Sequence, residues 1–396
     1  MPFDAHDAPL SIMELLSLED DCEGDDLRPW GVVTESAHAM WTDSGSAIEV
    51  VKSHLLEGAY TLRSPELVRF GLPVLEVNTG DTFTRTQSAR LQAAAVRRMN
   101  GRPERQAREA RPEGDAFCPE GVPQGRHPKT ATRSDTLFGV SSRGGRTQLS
   151  GPHSTIINGE SRSLVYPDRY PYTAVCKLYL RFQPRGGAQW QGAGEATGYL
   201  VGKSTLVTSG HVTPPTDGRW QIQVIPACWN GQSVFGPGMV SYVRSFWSWN
   251  SDSGSDIKIC QLYDPIGERL GYFGYKGYQS RWEDRDYWTM AGYPYDISLT
   301  SMSHETGIAV RDDDDGDDID VNGTTYDTTQ VESDADEASG VSGAPLWGWW
   351  AKGPYAIGVH HGVERDGTAF GTEILSCASG GDGFVAAAHW GRSMWG

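Results

Sequence analysis

The sequence predicts an all-β fold for residues 154–396, and three observations support this prediction. Short β-branched or aromatic segments follow one another from Thr155 onward, each bounded by Gly, Pro, Asn or Asp. The chain has 48 glycines, 22 prolines and 14 tryptophans, a composition that suits many turns between aromatic-rich strands. Long helical patterns are missing from this region. A β-sandwich or a pair of β-barrels accounts for such a sequence.

The elements differ along the chain. Residues 1–81 mix short apolar and acidic runs, and we interpret them as a pro-segment or a small accessory domain, with a short amphipathic helix from Ser11 to Leu18. Residues 82–153 are rich in Gly, Pro and Arg, which predicts an exposed basic linker with one helical stretch at 91–99. The N-terminal region is therefore expected to be partly disordered. The strands that follow are predicted in TAVCKLYLRF, ATGYLVGKSTLVTSG, QIQVIPACW, DIKICQLY, DYWTMAGY and YAIGVHH, and FVAAAHWGRSMW predicts a C-terminal helix.

Composition argues against several functional classes. The net charge of −17 repels phosphate backbones, so nucleic acid is not expected as a partner. No apolar run approaches the ~18 residues that a membrane span requires, and no signal peptide is visible. The compartment therefore stays open between the cytoplasm and export by an unusual route. No CxxC pair and no HExxH motif occurs, so neither a metal nor another cofactor is expected. We also expect the protein to be a monomer. The six cysteines could pair or remain buried thiols.

Three separated segments carry the residue types of nucleophilic catalysis. A serine hydroxyl needs an imidazole to take its proton, and the imidazole needs a carboxylate to fix its tautomer. The candidates are His211 in LVTSGHVT, Asp256 in SGSDIKICQL and Ser342 in ASGVSGAPLW. Each residue alone has an ordinary structural interpretation, but the order His, Asp, Ser is that of the chymotrypsin-type fold. The flanking glycines allow the amides of Gly340 and Ser342 to form an oxyanion hole.

The segment from Ser154 to Leu375 resembles the bacterial glutamyl endopeptidases, a branch of the chymotrypsin-like serine proteases. The similar pieces include STIINGESR, YPYTAV, TGYLVG, TLVTSGHV, IPACWNGQSVFGPG, SDIKICQL, IGERLGYFGY, AGYP, GVSGAPLW, AIGVHHG and FGTEI. The resemblance implies two six-stranded antiparallel barrels in residues 154–396, and hydrolysis of protein or peptide substrates through an acyl-enzyme on Ser342. It also implies His211 as general base, Asp256 as its orienting carboxylate, and secretion.

The resemblance leaves the residue preferred before the scissile bond (P1) open. His360 in AIGVHHG stands where the family has a His that helps to bind a P1 Glu, while His361 is expected on the opposite strand face. Glu337 replaces the usual Thr or Ser, and Asp336 precedes it, at the place where trypsin-like enzymes hold a basic P1 side chain. We expect a preference for Glu or Asp. Cleavage after Arg or Lys, or a non-catalytic binding module, remains the alternative.

Two further features depart from related enzymes. Val341 precedes the nucleophile, so the amine–carboxylate switch of trypsin-like zymogens is absent. The resemblance instead implies a precursor whose mature chain begins near Ser154 or Thr155, where a freed amine would lie near the P1 pocket. The acidic segment RDDDDGDDID, residues 311–320, fails the spacing of an EF-hand calcium loop. It is expected to be a solvated loop, with a less regular calcium site as the alternative.

Overall fold

The computed structural model describes residues 8–18, 113–126, 154–157, 159–187, 189–214, 218–249, 254–298, 300–368 and 371–396. Strands are numbered in chain order. They are β1 (Ser154–Thr155), β2 (Ser163–Leu164), β3 (Val175–Pro184), β4 (Gln191–Leu200), β5 (Thr205–Ser209), β6 (Gly218–Pro226), β7 (Cys228–Trp229), β8 (Gln232–Ser233), β9 (Ser241–Trp249), β10 (Ile257–Leu262), β11 (Gly274–Tyr275), β12 (Trp288–Gly292), β13 (Ser303–Ile308), β14 (Val310–Val321), β15 (Thr324–Ser333), β16 (Glu337–Ala338), β17 (Pro345–Trp350), β18 (Gly353–Thr368) and β19 (Gly371–Gly380).

We call residues 154–396 the protease-like region, after the resemblance described above. Its first half is a closed barrel of six strands in the order β10-β5-β4-β3-β6-β9. β10 closes it, since β10 pairs antiparallel with both β5 and β9. The apolar runs predicted as strands supply the interior, and Leu178, for example, lies opposite Ala196 on one neighbour and Val224 on the other. All three of these side chains are almost completely buried. The prediction of an all-β fold with an antiparallel barrel is confirmed.

The second half is a nine-stranded sheet in the order β14-β15-β19-β18-β17-β12-β13-β2, with β11 parallel to β18. A separate hydrophobic core supports it, in which Trp288, Leu346 and Ile357 are buried. The sheet has more strands than the six expected, because β2 extends one side and the β14–β15 hairpin extends the other.

The acidic segment 311–320 lies in β14 and is not the loop that was expected. β14 and β15 form a long antiparallel hairpin whose turn is Asn322–Gly323. Both turn residues have positive φ, 51° and 84°, as the two-residue turn of a hairpin requires. Because most of the carboxylates point to solvent, the strand tolerates their charge. The Asn-Gly pair was the available hairpin signal, and the density of Asp residues obscured it.

Three α-helices lie among the described residues: α1 (Ile12–Ser17), α2 (Gly267–Leu270) and α3 (Gly381–Trp395). α1 begins with a capping box between Ser11 and Glu14, and α3 is the predicted C-terminal helix. α3 packs on both halves: Gly391 leaves no room for a side chain against Ile259 of the barrel, and Gly383 leaves none against Thr328 of β15. None of the described helices has the length and apolarity needed to cross a membrane. The helix predicted at 91–99 lies outside the described residues.

Residues 113–126 fall within the segment interpreted as an exposed linker, and the structure shows them packed on the protease-like region. We call this segment the strap. It forms bridges between Gly114 and Tyr275 and between Phe117 and Tyr272. The rest of residues 82–153 lies outside the described residues.

The described cysteines form no disulfide. Four of them are buried free thiols: Cys176, Cys228, Cys260 and Cys377. Burial raises the pKa of Cys228, Cys260 and Cys377 to about 12, so these thiols are protonated at neutral pH. Cys22 lies outside the described residues. Cys118 is half-buried, and its Sγ lies 3.4 Å from the Val122 carbonyl oxygen.

Candidate active site

The histidine and the aspartate of the predicted triad are hydrogen-bonded to each other. His211 follows β5 on a tight turn, and Asp256 immediately precedes the neighbouring strand β10. Asp256 Oδ2 lies 2.5 Å from His211 Nδ1, and Asp256 Oδ1 accepts the backbone N–H of His211 at 2.7 Å. The Asp256 carboxylate is buried, and its bonds fix the orientation of the His211 ring. The imidazole is half exposed, so its other ring nitrogen, Nε2, is on the side left to solvent.

Ser342 lies on a turn of the second half that is hydrogen-bonded to the first barrel. Its carbonyl accepts the N–H of Thr197 at 2.9 Å. The hydroxyl of Thr208, three positions before His211, donates to the Thr197 carbonyl at 2.7 Å. Gly343 N–H donates to the His360 carbonyl at 2.8 Å. These bonds tie the Ser342 turn to the same strand β5 that leads to His211.

The amides near Ser342 divide into bonded and unbonded groups. The N–H groups of Val341, Gly343 and Ala344 donate to carbonyls of Ala338, His360 and Val341, respectively. Within the described part of the chain, no acceptor is assigned to the N–H groups of Gly340 or Ser342. Gly340 has φ 100°, and a Cβ there would lie 2.4 Å from the Tyr293 carbonyl. The two amides expected to form the oxyanion hole are thus the two of this turn without an acceptor among the described residues.

The third link of the triad is not closed in this structure. Across the residues that the structure describes, no hydrogen bond joins the Ser342 hydroxyl to the His211 imidazole. In enzymes without bound substrate, catalytic hydrogen bonds are often long and tighten only when substrate binds. The structure therefore unites His211 with Asp256 and brings the Ser342 turn beside β5.

His360 is buried and has a partner on each ring nitrogen. Nε2 lies 3.3 Å from Glu337 Oε2, and Nδ1 lies 3.2 Å from Ser376 Oγ. The Glu337 side chain is more exposed, at 17% against 2% for His360. Glu337 is thus more accessible than His360, and it already engages the nitrogen that a substrate carboxylate would need.

Asp336 is fully buried, and its carboxylate binds the backbone of the segment that follows β1. Its carboxylate accepts the N–H groups of Ile157 at 2.7 Å and of Ser161 at 3.1 Å. Its own N–H donates to Glu305 Oε2 at 2.7 Å. Burial raises the pKa of Asp336 and, more strongly, that of Glu305, to about 7. A basic P1 side chain would have to displace these donors to reach Asp336.

His361 occupies a β-bulge, since the register of β18 against β19 shifts between His360 and Gly362. Burial lowers the pKa of His361 to about 4, and the nearby imidazoles of His360 and His211 contribute to the same shift. Its Nε2 is buried without an assigned partner. The imidazole is therefore neutral at physiological pH, close to the His211–Asp256 pair.

Lys258 was not singled out from the sequence, and it supports the loop that carries His211. It lies on β10 two positions after Asp256, with no exposed surface. Its ammonium donates to the Val212 carbonyl and to Thr213 Oγ1, the latter at 2.5 Å. Lys258 Nζ also lies 4.7 Å from the centre of the Phe246 ring. The only sequence signal was a lysine in the middle of the apolar run IKIC.

Lys258→Met is expected to change how stability depends on pH. Burial lowers the pKa of Lys258 from 10.5 to about 8. Between these values the unfolded chain binds more protons than the folded one, so the stability contributed at this position rises with pH. The free energy of unfolding of the wild type, relative to the variant, should increase from pH 8 to pH 10.5 in urea titrations. Lys203→Met, at an exposed lysine, should show no such trend, and parallel curves for Lys258→Met would contradict the argument.

Comparisons with known proteins include a relative from the family that the sequence motifs resemble. No family model matches the chain. An extracellular metalloprotease of Bacillus subtilis (strain 168) is 25% identical over 187 residues, which cover 45% of this chain and 56% of that protein. Glutamyl endopeptidase of Bacillus licheniformis is 24% identical over 244 residues, 58% of this chain and 69% of that protein. The resemblance to glutamyl endopeptidases is confirmed at this low identity.

Solved structures are also similar in part. The structure of a Glu endopeptidase in complex with MPD matches with a TM-score of 0.44 and 19% identity, covering 60% of this chain and 100% of that chain. A thermostable serine protease, AL20, from an extremophilic microorganism matches with a TM-score of 0.36 and 16% identity, covering 57% of this chain and 97% of that chain.

The name of the first relative raises the question of a metal. Among the described residues, one group of possible ligands lies close together: Glu332, Glu364 and Cys377. Gln330 Nε2 donates to both carboxylates, and burial raises the pKa of Glu332 to about 7. A protonated thiol and amide-capped carboxyls, with no imidazole, do not suit a catalytic zinc ion. The group does not fit a metalloprotease centre.

Proposed function

We propose that this protein is a serine endopeptidase that cleaves protein or peptide substrates. The observation that carries the proposal is the His211–Asp256 hydrogen bond beside the Ser342 turn, where the described residues offer no acceptor to the N–H groups of Gly340 and Ser342. The similarity to glutamyl endopeptidase supports the same reaction class. The chain spans 56% and 69% of the length of its two relatives, so the activity comes to this chain as part of the proposal.

The reaction proceeds by acyl transfer. Ser342 Oγ attacks the carbonyl carbon of the scissile bond while His211 Nε2 takes the hydroxyl proton, and Asp256 stabilises the resulting imidazolium. The amides of Gly340 and Ser342 donate to the oxyanion of the tetrahedral intermediate. His211 then gives its proton to the leaving amine, and the C–N bond breaks to leave an ester on Ser342. A water molecule hydrolyses this ester by the same steps, with His211 again as base.

The proposed P1 preference is Glu or Asp, and it depends on the state of the chain before residue 154. In the uncut chain, the Glu337 carboxylate faces His360 and repels an acidic P1 side chain. β1 pairs with β16, placing Thr155 opposite Glu337 and Ser154 opposite Ala338. A new amine at residue 154 would bring a positive charge to this place. Without the cut, the pocket suits a basic or neutral side chain, which is the alternative specificity.

A fluorophosphonate probe tests the proposed reaction. We expect labelling of one residue, Ser342, identified by mass spectrometry of the digested protein. Ser342→Ala should remove the label, while Ser339→Ala, three positions earlier on the same turn, should retain it. An unlabelled wild-type protein, cut or uncut before residue 154, would contradict the enzyme and favour a protease-like binding module.

Cutting the chain before Ser154 is expected to shift P1 preference towards Glu. A peptide library digested by protein with a free amine at residue 154 should show a higher ratio of cleavage after Glu to cleavage after Arg than the uncut protein shows. Glu337→Gln should raise the same ratio in the uncut protein, because it removes the negative charge beside His360. An unchanged ratio in both experiments would contradict the role assigned to Glu337.

A further inference from the structure

The strap, residues 113–126, is joined to the protease-like region by backbone pairing at three points. Gly114 and Tyr275 exchange two hydrogen bonds, of 3.4 and 3.0 Å. Phe117 and Tyr272 exchange another two, of 3.0 and 2.9 Å. Near the end of the strap, Tyr170 receives the Gly125 N–H at 2.7 Å and donates to the Pro123 carbonyl at 2.9 Å. A chain passing over a surface as a simple linker would not need such pairing.

Side chains add to this pairing at the beginning of the strap. Glu113 forms an ion pair with Lys276, whose side chain is largely buried. The Asp115 carboxylate accepts the hydroxyl of Tyr355 at 2.7 Å, and its carbonyl accepts from Arg392 at 2.8 Å. Arg392 is held in turn by the rings of Tyr272 and Tyr275, 4.7 and 4.5 Å from its guanidinium carbon.

The fit between the strap and its surface is close on both sides. A Cβ on Gly114 would lie 2.2 Å from the ring of Tyr275, and one on Gly125 would lie 2.7 Å from Arg169 Cβ. On the other side, a Cβ on Gly271 would lie 2.7 Å from the Phe117 carbonyl. Val122 is buried against the body of the protein. Backbone reaches the surface at these glycines, and side chains would prevent it.

The strap connects parts of the molecule that determine how the two halves sit. Tyr272 lies in the connection between β10 of the barrel and β11 of the second sheet. Tyr170 precedes β3 of the barrel, and Arg392 belongs to α3, which packs on both the barrel and the second sheet. None of the contacts that attach the strap involves His211, Asp256 or Ser342. The strap therefore binds at the connection between the two halves through residues that are separate from the predicted triad.

We propose that the strap remains bound, noncovalently, after the chain is cut between residues 127 and 153, so that the processed protein consists of two associated chains. This rests on the proposed function, in which a cut before residue 154 brings the preference for Glu. The new N-terminus keeps its own anchor, since β1 pairs with β16. A cut in 127–153 consequently breaks no contact of either the strap or β1, and the strap stays as a structural part of the enzyme.

The test uses the full chain carrying Ser342→Ala, which prevents self-cleavage. Recognition sites for rhinovirus 3C protease are inserted after residues 105 and 136, and digestion then releases a short piece, residues 106–136, that contains the strap. We expect this piece to co-elute with the residue 137–396 fragment in native size-exclusion chromatography and to separate from it in 6 M guanidinium, a denaturing condition. Elution of the piece on its own in native buffer would overturn the proposal.

Matched variants establish which contacts retain the piece. Gly114→Val should release it, because the added side chain collides with Tyr275, whereas Glu120→Ala, at an exposed position of the strap, should not. Asp115→Ala removes the acceptor of the Tyr355 hydroxyl and should release the piece at least 10-fold faster than the wild type does. Because Asp115 is exposed, this variant should fold, and it keeps the test decisive if Gly114→Val does not. Equal retention in Asp115→Ala and Glu120→Ala would count against the proposal. Retention is independent of activity, so fluorophosphonate labelling of the Ser342 protein judges the proposed function separately.

Discussion

Asp256→Asn is expected to lower kcat for peptide hydrolysis about 10⁴-fold with little change in KM. Asp256 accepts two N–H groups of His211, one from the ring at 2.5 Å and one from the backbone at 2.7 Å. An asparagine side chain has one acceptor oxygen and one NH₂ group, so it cannot accept both. If the amide donates to Nδ1, the imidazole carries its proton on Nε2 and cannot act as a base towards Ser342. Steady-state kinetics on a peptide substrate measure the loss.

The control for this substitution is Asp312→Asn on β14, which removes the same charge at an exposed position. Its kcat should stay within about 2-fold of the wild type, since it lies outside the site. Thermal unfolding of Asp256→Asn should also stay cooperative, because the substitution conserves volume. Wild-type kcat in Asp256→Asn would exclude His211 as a base oriented by Asp256 and, with it, the proposed mechanism.

The sequence was sufficient to predict the β class, the barrel and the neighbourhood of His211 and Asp256. Alternation of apolar residues predicts which strand faces become buried, and the chain order of three chemically matched residues predicts which loops meet. The contact partners of Asp336 could not be predicted in this way. Its role depends on two N–H groups of Ile157 and Ser161, which lie 179 and 175 positions away and carry no side-chain signal.

The strap and Lys258 show two further reasons why sequence patterns were incomplete. The strap pairs through backbone groups and glycines, so its Gly- and Pro-rich composition resembles that of an exposed linker. Lys258 is buried because carbonyl and hydroxyl groups of one loop surround its ammonium. A pattern based on hydropathy assigns a lysine to the surface, and only the tertiary structure shows which polar groups compensate for its burial.

Gly343 and Thr197 show how closely the nucleophile turn meets the barrel. Gly343 has φ 91°, in the left-handed region that side chains rarely adopt. A Cβ at this position would lie 2.0 Å from the Thr197 carbonyl oxygen and 2.1 Å from Thr208 Oγ1. Neither neighbour can move easily, because the Thr208 hydroxyl donates to that same carbonyl at 2.7 Å. The turn can approach β4 and β5 only if residue 343 has no side chain.

Gly343→Ala is accordingly expected to lower the free energy of unfolding by about 3 kcal/mol or more, through backbone strain and the collision together. Since the displaced turn carries Ser342, fluorophosphonate labelling should fall at least 100-fold even in the fraction that stays folded. Gly238→Ala is the matched control, because a Cβ there would meet nothing within 4 Å. Urea unfolding and labelling rates measure both effects. If Gly343→Ala were as stable and as reactive as Gly238→Ala, the halves would not meet at this turn, and His211 would have no fixed position relative to Ser342.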